Sequence, residues 1–380
     1  MDLQLIKYLD RYCGISLCNF LGFFNKISNK LFENPKKILL IKFSGFGSIV
    51  LDLPTIRAIK RKYPNSKITF LTHTMNKAII EEESSIDYIE TFDIEGIFKT
   101  FLNILILFLK IKKENFDLVI DFEQFSRFSA IVSFFSKAKT RIGFDTKGQG
   151  REKLYNIKIE YNNNRHTSKT FADLINPLDI LPNFQDTKIS LTDKDKQKID
   201  YLLSQNNINK KDVLIGIHPG CGINNPKRKW QKEKFAKLAD FLIKEYNYNV
   251  FFTGGNSERK LIKEIQSSMK NRSIDFSGST NLRELAELIS RCKFFVSNDT
   301  GPLHLASAMK IPVVSFFGPN TPLLYGPLGK NNLIFYKKMK CSPCTTNFNE
   351  KSTKCKHFKC INNISFEEVK NEIKNSNLIK

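Results

Sequence analysis

Acidic residues are scarce in this chain of 380 residues: 38 Asp and Glu stand against 60 Lys and Arg, a formal net charge of +22. Such an excess admits nucleic acid, an anionic membrane surface or a polyanionic substrate as partner, with a lysine-rich background composition as the bland alternative. The cations are scattered along the chain, whereas a dedicated nucleic-acid binder concentrates them on one face, so no nucleic acid is expected. Long uncharged runs are also missing. Tyr12 to Asn25, the longest near the N-terminus, falls well short of the roughly 20 residues of a spanning helix and lacks a small-residue cleavage site, which argues against a membrane span and a secretory signal. Complete nucleotide loops are absent too. A phosphate loop needs Lys and Ser or Thr after its second glycine, and Ser44-Gly-Phe-Gly-Ser48 has neither in place; Gly45-x-Gly47 also lacks the third glycine of a dinucleotide fingerprint. An NAD or ATP site is therefore not expected in the first half.

What is present is an alternation of short apolar strands and helical patterns. Lys37–Ile41, Lys67–Leu71, Phe116–Ile120 and Thr140–Phe144 read as strands in the first half, with an apolar helix over Ile97–Ile111. The second half repeats this with strands at Val213–Ile217, Asn249–Phe252, Ile274–Phe276, Phe294–Val296 and Pro312–Phe317, and helices at Gln231–Tyr246, Ser257–Met269, Leu282–Arg291 and Leu303–Met309. Strand-helix alternation predicts an α/β chain with parallel sheets covered on both faces, and the length predicts two domains enclosing a cleft at the strands' carboxyl ends. We expect an apolar and basic N-terminal extension over 1–34, a first Rossmann-like domain over 35–190, a second over 191–362, and a C-terminal helix over 363–380 that packs back on the first domain. In the extension, Leu3–Ile6 and Leu17–Phe24 are apolar with Lys7, Arg11, Lys26 and Lys30 interspersed. That pattern suits either an interfacial helix pair on an anionic leaflet or packing on the protein's own core.

Polar groups cluster at the carboxyl ends of the second-half strands, where open α/β sheets bind ligands. His218-Pro-Gly220 and the basic run Lys227, Arg228, Lys229 follow one strand, Lys229 abutting Trp230, the only tryptophan. Gly254-Gly255 with Glu258 follows another: a carboxylate for ribose hydroxyls, or first-turn helix decoration. Asn298-Asp-Thr-Gly-Pro-Leu-His304 follows a third, placing Asp299 and a helix N-terminus where backbone N–H groups can meet a phosphate. Cys341, Cys344, Cys355 and Cys360, with His357 between the last two, have spacing similar to that of a structural zinc site; a disulfide-stapled loop and a loop of free thiols are the alternatives.

The stretch Lys37-Ile-Leu-Leu-Ile-Lys-Phe-Ser-Gly-Phe-Gly-Ser-Ile-Val-Leu-Asp-Leu-Pro54 resembles the opening of the bacterial ADP-heptose:lipopolysaccharide heptosyltransferases, type members of glycosyltransferase family nine. His218-Pro-Gly220, Lys229-Trp230, Gly254-Gly255, the Asn298–His304 run and Gly318-Pro319 look like that family's second domain, in order. The resemblance covers the chain from about residue 36 onward. It implies a GT-B fold, two Rossmann-like domains with parallel sheets facing a central cleft. It also implies inverting chemistry with no cofactor or metal needed for catalysis, structural zinc aside.

By the same resemblance Lys229 binds donor phosphate, Glu258 lies near the ribose, Asp299 contacts the sugar, and Thr300 and Gly301 offer backbone donors to the diphosphate. His304 takes the helix-opening histidine's place. The implied partners are a nucleotide-diphosphate sugar, a lipid-linked or lipopolysaccharide-type glycan and an anionic membrane surface, the protein being cytoplasmic and peripheral at the inner face of the cytoplasmic membrane.

One departure stands out. Where the family carries an aspartate proposed as general base, this chain has Ser48, and a serine hydroxyl does not take up a proton near neutral pH. Asp52, one helical turn beyond Ser48, and Glu123 are the substitutes the sequence offers. A non-catalytic nucleotide-sugar or glycan-binding member is the rival reading.

Overall fold

The computed structural model describes residues 3–25, 32–43, 45–94, 96–222, 228–349 and 351–379. The chain divides into two units, Met1–Asp186 and Thr187–Lys380.

In the first unit six parallel strands, β1 (Lys37–Ile41), β2 (Lys67–Thr72), β3 (Tyr88–Thr91), β4 (Leu118–Asp121), β5 (Thr140–Asp145) and β6 (Ile157–Glu160), lie in the order β3-β2-β1-β4-β5-β6. The inner strands β1 and β4 are near-continuous apolar runs because helices cover both faces; the edge strands β3 and β6 are only partly covered. The helices are α1 (Leu3–Gly22), α2 (Phe46–Lys62), α3 (Lys77–Ile80), α4 (Ile97–Glu114), α5 (Arg127–Phe135) and α6 (Thr167–Ala172). Leu107 and Ile111 of α4 and Val132 of α5 share one core with Leu39, Ile41, Leu71 and Val119 of the sheet, so α4 and α5 cover the same face.

Helix α1 extends that layer. The two apolar segments expected as a helix pair form one continuous helix, whose Cys18 and Leu21 pack on Ala130 and Ile131 of α5 and on the 3-10 turn Arg151–Leu154. Asp10 of α1 accepts from the backbone N–H groups of Arg127 (3.0 Å) and Phe128 (2.9 Å), satisfying two first-turn donors of α5 from outside that helix. Gly14 permits the approach: a Cβ there would come within 2.9 Å of the Arg127 Cβ.

The second unit repeats the topology. Strands β7 (Leu214–His218), β8 (Asn249–Phe252), β9 (Ile274–Asp275), β10 (Cys292–Asn298), β11 (Val313–Phe317) and β12 (Leu333–Tyr336) are parallel in the order β12-β11-β10-β7-β8-β9. Numbered within their own unit and read from β9, these strands have the same sequence of positions as the first sheet. Both sheets therefore reverse direction between their first and fourth strands, the Rossmann switch point. Helices α7 (Asp193–Ser204), α8 (Lys232–Tyr246), α9 (Arg259–Ser267), α10 (Leu282–Ser290), α11 (Gly301–Ala308), α12 (Pro322–Tyr325), α13 (Lys359–Asn362) and α14 (Phe366–Asn375) complete it. Thr192 and Asp195 form a capping box on α7, and Asp195 also binds Arg283 at 2.7 Å, tying α7 to α10. The C-terminal helix α14, expected on the first domain, gives Val369 and Ile373 to the second unit's core beside α8. Among the described residues no helix is long and apolar enough to cross a membrane.

Candidate functional site

The switch point of the second unit lies between β7 and β10, and one side chain holds it together. Asn298, fully buried at the end of β10, donates from Nδ2 to the carbonyls of Pro219 (2.9 Å) and Gly220 (3.4 Å) beyond β7, while its Oδ1 accepts the Trp230 N–H at 2.9 Å. Three segments of the expected site, 218–220, 228–230 and 298–304, thus meet at one amide. Asp299 comes next and is held from two sides. Asn320, beyond β11, donates to its Oδ2 at 2.8 Å; Arg228 lies 3.3 Å from that oxygen and donates to the Asp299 carbonyl at 3.3 Å. Such a clamp leaves the other carboxylate oxygen to face a ligand in a fixed orientation.

Thr300 is the N-cap of α11, in extended conformation, and no side chain caps this helix. Its hydroxyl instead lies 3.2 Å from that of Ser297. An uncapped N-terminus beginning at Gly301 presents N–H dipoles and the positive end of the helix to an anion. His304 sits in the first turn, buried, with Tyr325 edge-on at 6.4 Å.

Glu258 is fixed by backbone amides: Oε2 accepts from Gly255 at 3.0 Å and Oε1 from Gly222 at 3.1 Å. Gly220 is required beside it, because a Cβ at that position would overlap the Glu258 carboxylate. His218 lies 3.8 Å from Glu258 and contacts the Thr253 hydroxyl at 3.2 Å; burial lowers its pKa, and the nearby carboxylate only partly opposes this, so the imidazole is neutral at pH 7.

Lys229 is half-buried and lies within electrostatic reach of His218 and Cys221. The cation bonded to Asp299 is its neighbour Arg228. Lys227 and Ser44 lie outside the described residues.

In the first unit the switch point lies between β1 and β4, and Glu123 bridges it. Its Oε1 accepts the Phe43 N–H at 2.8 Å and its Oε2 meets Lys42 Nζ at 3.2 Å, both side chains being almost fully buried. Ser48, in the first turn of α2, is partly exposed. Asp52, expected to line the open side with it, is instead completely buried, and neither carboxylate oxygen has a hydrogen-bond partner. Burial raises its pKa well above the usual carboxylate range, with Lys42 pulling it down and Glu123 pushing it further up. Neither Asp52 nor Glu123 is open to an acceptor.

The zinc expectation is not supported. Among the described residues no group of His, Cys, Asp and Glu gathers into a metal-holding cluster. Cys341 is exposed, Cys344 accepts from the Thr353 hydroxyl at 3.2 Å, and all four cysteines are free thiols. Cys360 is buried at the start of α13 against Gly318, and burial, with Cys344, Cys355 and Cys341 adding to it, pushes its thiol up to about 11.

Two Rossmann-like units with polar groups at their switch points make an α/β fold of the GT-B type, and solved glycosyltransferases share it. A glycosyltransferase family 9 structure from Veillonella parvula matches with a TM-score of 0.75 at 20% identity, covering 93% of this chain and 99% of that one. An ADP-heptose lipopolysaccharide heptosyltransferase II from Escherichia coli matches at 0.71 and 20%, covering 90% and 98%. The model of glycosyltransferase family 9 (heptosyltransferase) matches residues 104–356, and the chain belongs to that family. Lipooligosaccharide heptosyltransferase 2 of Campylobacter jejuni is 26% identical over 90% of this chain and all of its own length. The protein is a glycosyltransferase.

Proposed function

We propose that this glycosyltransferase takes ADP-heptose as donor and passes the heptose, with inversion and without a metal ion, to a lipopolysaccharide core or related lipid-linked glycan. The observation that carries the reading is the clamped carboxylate of Asp299 immediately ahead of the uncapped helix α11. In this reading Asp299 orients the sugar, Thr300 and Gly301 offer N–H groups to the leaving diphosphate, and Glu258 receives the ribose hydroxyls. His304 buttresses the first turn of α11. Arg228 and Lys229 supply fixed positive charge for the phosphates, the task a divalent ion serves elsewhere. Inversion requires the acceptor hydroxyl to enter opposite the leaving diphosphate, so the acceptor is assigned to the first unit, with Ser48 as a hydrogen-bond partner that positions the hydroxyl.

The lipid-linked acceptor puts the protein at the inner face of the cytoplasmic membrane, and the net charge of +22 suits an anionic leaflet. The relatives named for lipooligosaccharide and lipopolysaccharide heptosyl transfer support the substrate class.

Sugar transfer from ADP-heptose to a heptose-deficient lipopolysaccharide core tests the proposal, with Asp299→Ala as the control. We expect turnover in the native chain and a loss of about a hundredfold or more in kcat/KM in the variant. Full activity of the variant would sink the assignment. Donor binding without turnover on any acceptor would identify a binding-only member, the reading that Ser48 favours.

A further inference from the structure

The helical layer on one face of the first unit carries an exposed apolar surface that donor and acceptor chemistry does not use. Helix α4 is apolar on nearly all sides. Its inner arc, Thr100, Leu107 and Ile111, is buried, and Phe108 packs on Phe135 of α5 at 4.7 Å between ring centres. Its outer arc carries Phe98, Phe101, Leu102, Leu105, Ile106 and Leu109, all exposed; Phe98 is 79% accessible, Leu109 70% and Phe101 61%. At about 100° per residue these six fall within one continuous stripe, where a globular helix would ordinarily turn polar side chains to water. The stripe continues into exposed Lys112 and Lys113, while Lys99 and Lys110, the latter paired with Glu90 at 2.6 Å, stand along its edge. The one carboxylate of the helix, Glu114, is paired with Lys37 at 3.0 Å.

Helix α1, which also packs on α5, leaves Tyr8 and Tyr12 exposed on one side and Leu17 and Phe20 exposed on another. Tyr8 stacks near Tyr12 at 4.5 Å, and Phe20 near Phe24 at 5.3 Å. The Tyr8 and Tyr12 rings, each with a polar hydroxyl, favour the headgroup zone of a bilayer. The acidic side chain of α1 nearest to them, Asp10, is taken up by the α5 N-terminus.

We propose that the outer face of α4 docks on an anionic lipid bilayer, its apolar stripe entering the boundary between headgroups and acyl chains and Lys112 and Lys113 meeting lipid phosphates. The charge selects the occupant. Two lysine-edged copies would repel one another, whereas an anionic leaflet attracts each lysine. The inference rests on the proposed lipid-linked acceptor for its purpose, and it adds α4 as an anchor in the body of the protein to the N-terminal extension.

The test sediments the full-length protein with phosphatidylcholine vesicles that contain or lack phosphatidylglycerol. Native protein is expected to bind the anionic vesicles selectively. Phe98→Ser/Phe101→Ser/Leu105→Ser should lower partitioning about tenfold or more, with an unchanged melting temperature because the three side chains are exposed. Lys112→Gln/Lys113→Gln should weaken binding and flatten its salt dependence. ADP titration on the same samples reads the donor site separately, so a failed donor assignment is distinguishable from failed docking. Native protein that stays in the supernatant, or a triple variant that binds equally well, overturns the proposal. So does a lipid-free dimer of the native chain that the triple variant converts to monomer, because the face would then belong to a second copy.

Discussion

Asp52 is completely buried with no protein group hydrogen-bonded to its carboxylate, and burial raises its pKa well above the usual carboxylate range, which favours the neutral form. With Asp52 protonated, Lys42 and Glu123 beside it cancel, and the buried group carries no net charge. Its folded-state pKa lies above that of the unfolded chain. Below about pH 3.8 both states hold the proton and nothing is lost; as pH rises the unfolded chain releases its proton first, so stability falls until the folded pKa is passed. Asp52→Asn should therefore stabilise the protein, and its melting-temperature advantage should grow as pH rises from about 4 toward neutrality. A constant advantage across that range would refute the assignment. At the donor site, Arg228 reaches both the side chain and the carbonyl of Asp299. Both contacts are made by Nη1, at a reach and direction set by the planar guanidinium that a lysine ammonium does not reproduce, so Arg228→Lys should raise the donor KM several-fold and Arg228→Ala about tenfold or more. Steady-state kinetics on ADP-heptose would measure both.

At the scale of elements, the turn after β7 depends on having no side chain at Gly220. Gly220→Ala would displace the Glu258 carboxylate, a movable side-chain end, and not the backbone. We therefore expect donor affinity to fall about fivefold while the melting temperature changes little; a large drop in melting temperature would show that the strand end itself had moved. The inner strands were legible in the sequence because burial on both faces requires unbroken apolar runs such as Lys37–Ile41 and Pro312–Phe317. The edge strands β3, β6 and β12 were not, since partial covering leaves them with mixed residues like those of a loop. Helix α5 also escaped notice, being nine residues long and announced only by Ser126 at its N-cap. The donor turn was readable as a motif. Its holding groups, Asn320 and Arg228, were not, because the contacts to Asp299 come from segments 21 and 71 residues away.

At the scale of the molecule, each unit closes a core of its own. Ile215, Ile217, Trp230, Phe235 and Phe316 pack with Val369 and Ile373 within the second unit, and every described residue assigned here to the donor lies in it. Residues 187–380 alone should therefore fold cooperatively and bind ADP without transferring sugar. A melting transition by circular dichroism and an ADP titration would check this, and an isolated unit without a cooperative transition would show that its core is incomplete. The two sheets also solve one topological problem by different chemistry. A neutral amide, Asn298, ties the switch point of the second, and a carboxylate paired with lysine, Glu123, ties that of the first. Removing Glu123 strands a buried cation, so Glu123→Ala should destabilise the protein by about 3 kcal/mol or more in urea unfolding, beyond the usual range for one substitution.

Trp230 has a practical consequence. It is the only tryptophan of the chain, fully buried, stacked on Phe316 at 4.2 Å, with its indole N–H donated to the Ile364 carbonyl and its backbone N–H to Asn298. Intrinsic emission excited at the red edge of the protein band therefore arises from a single fluorophore, one residue from Lys229 and one hydrogen bond from the strand end that carries Asp299. With the donor site proposed here, nucleotide binding is expected to change this emission, and an ADP titration of the unlabelled protein checks it.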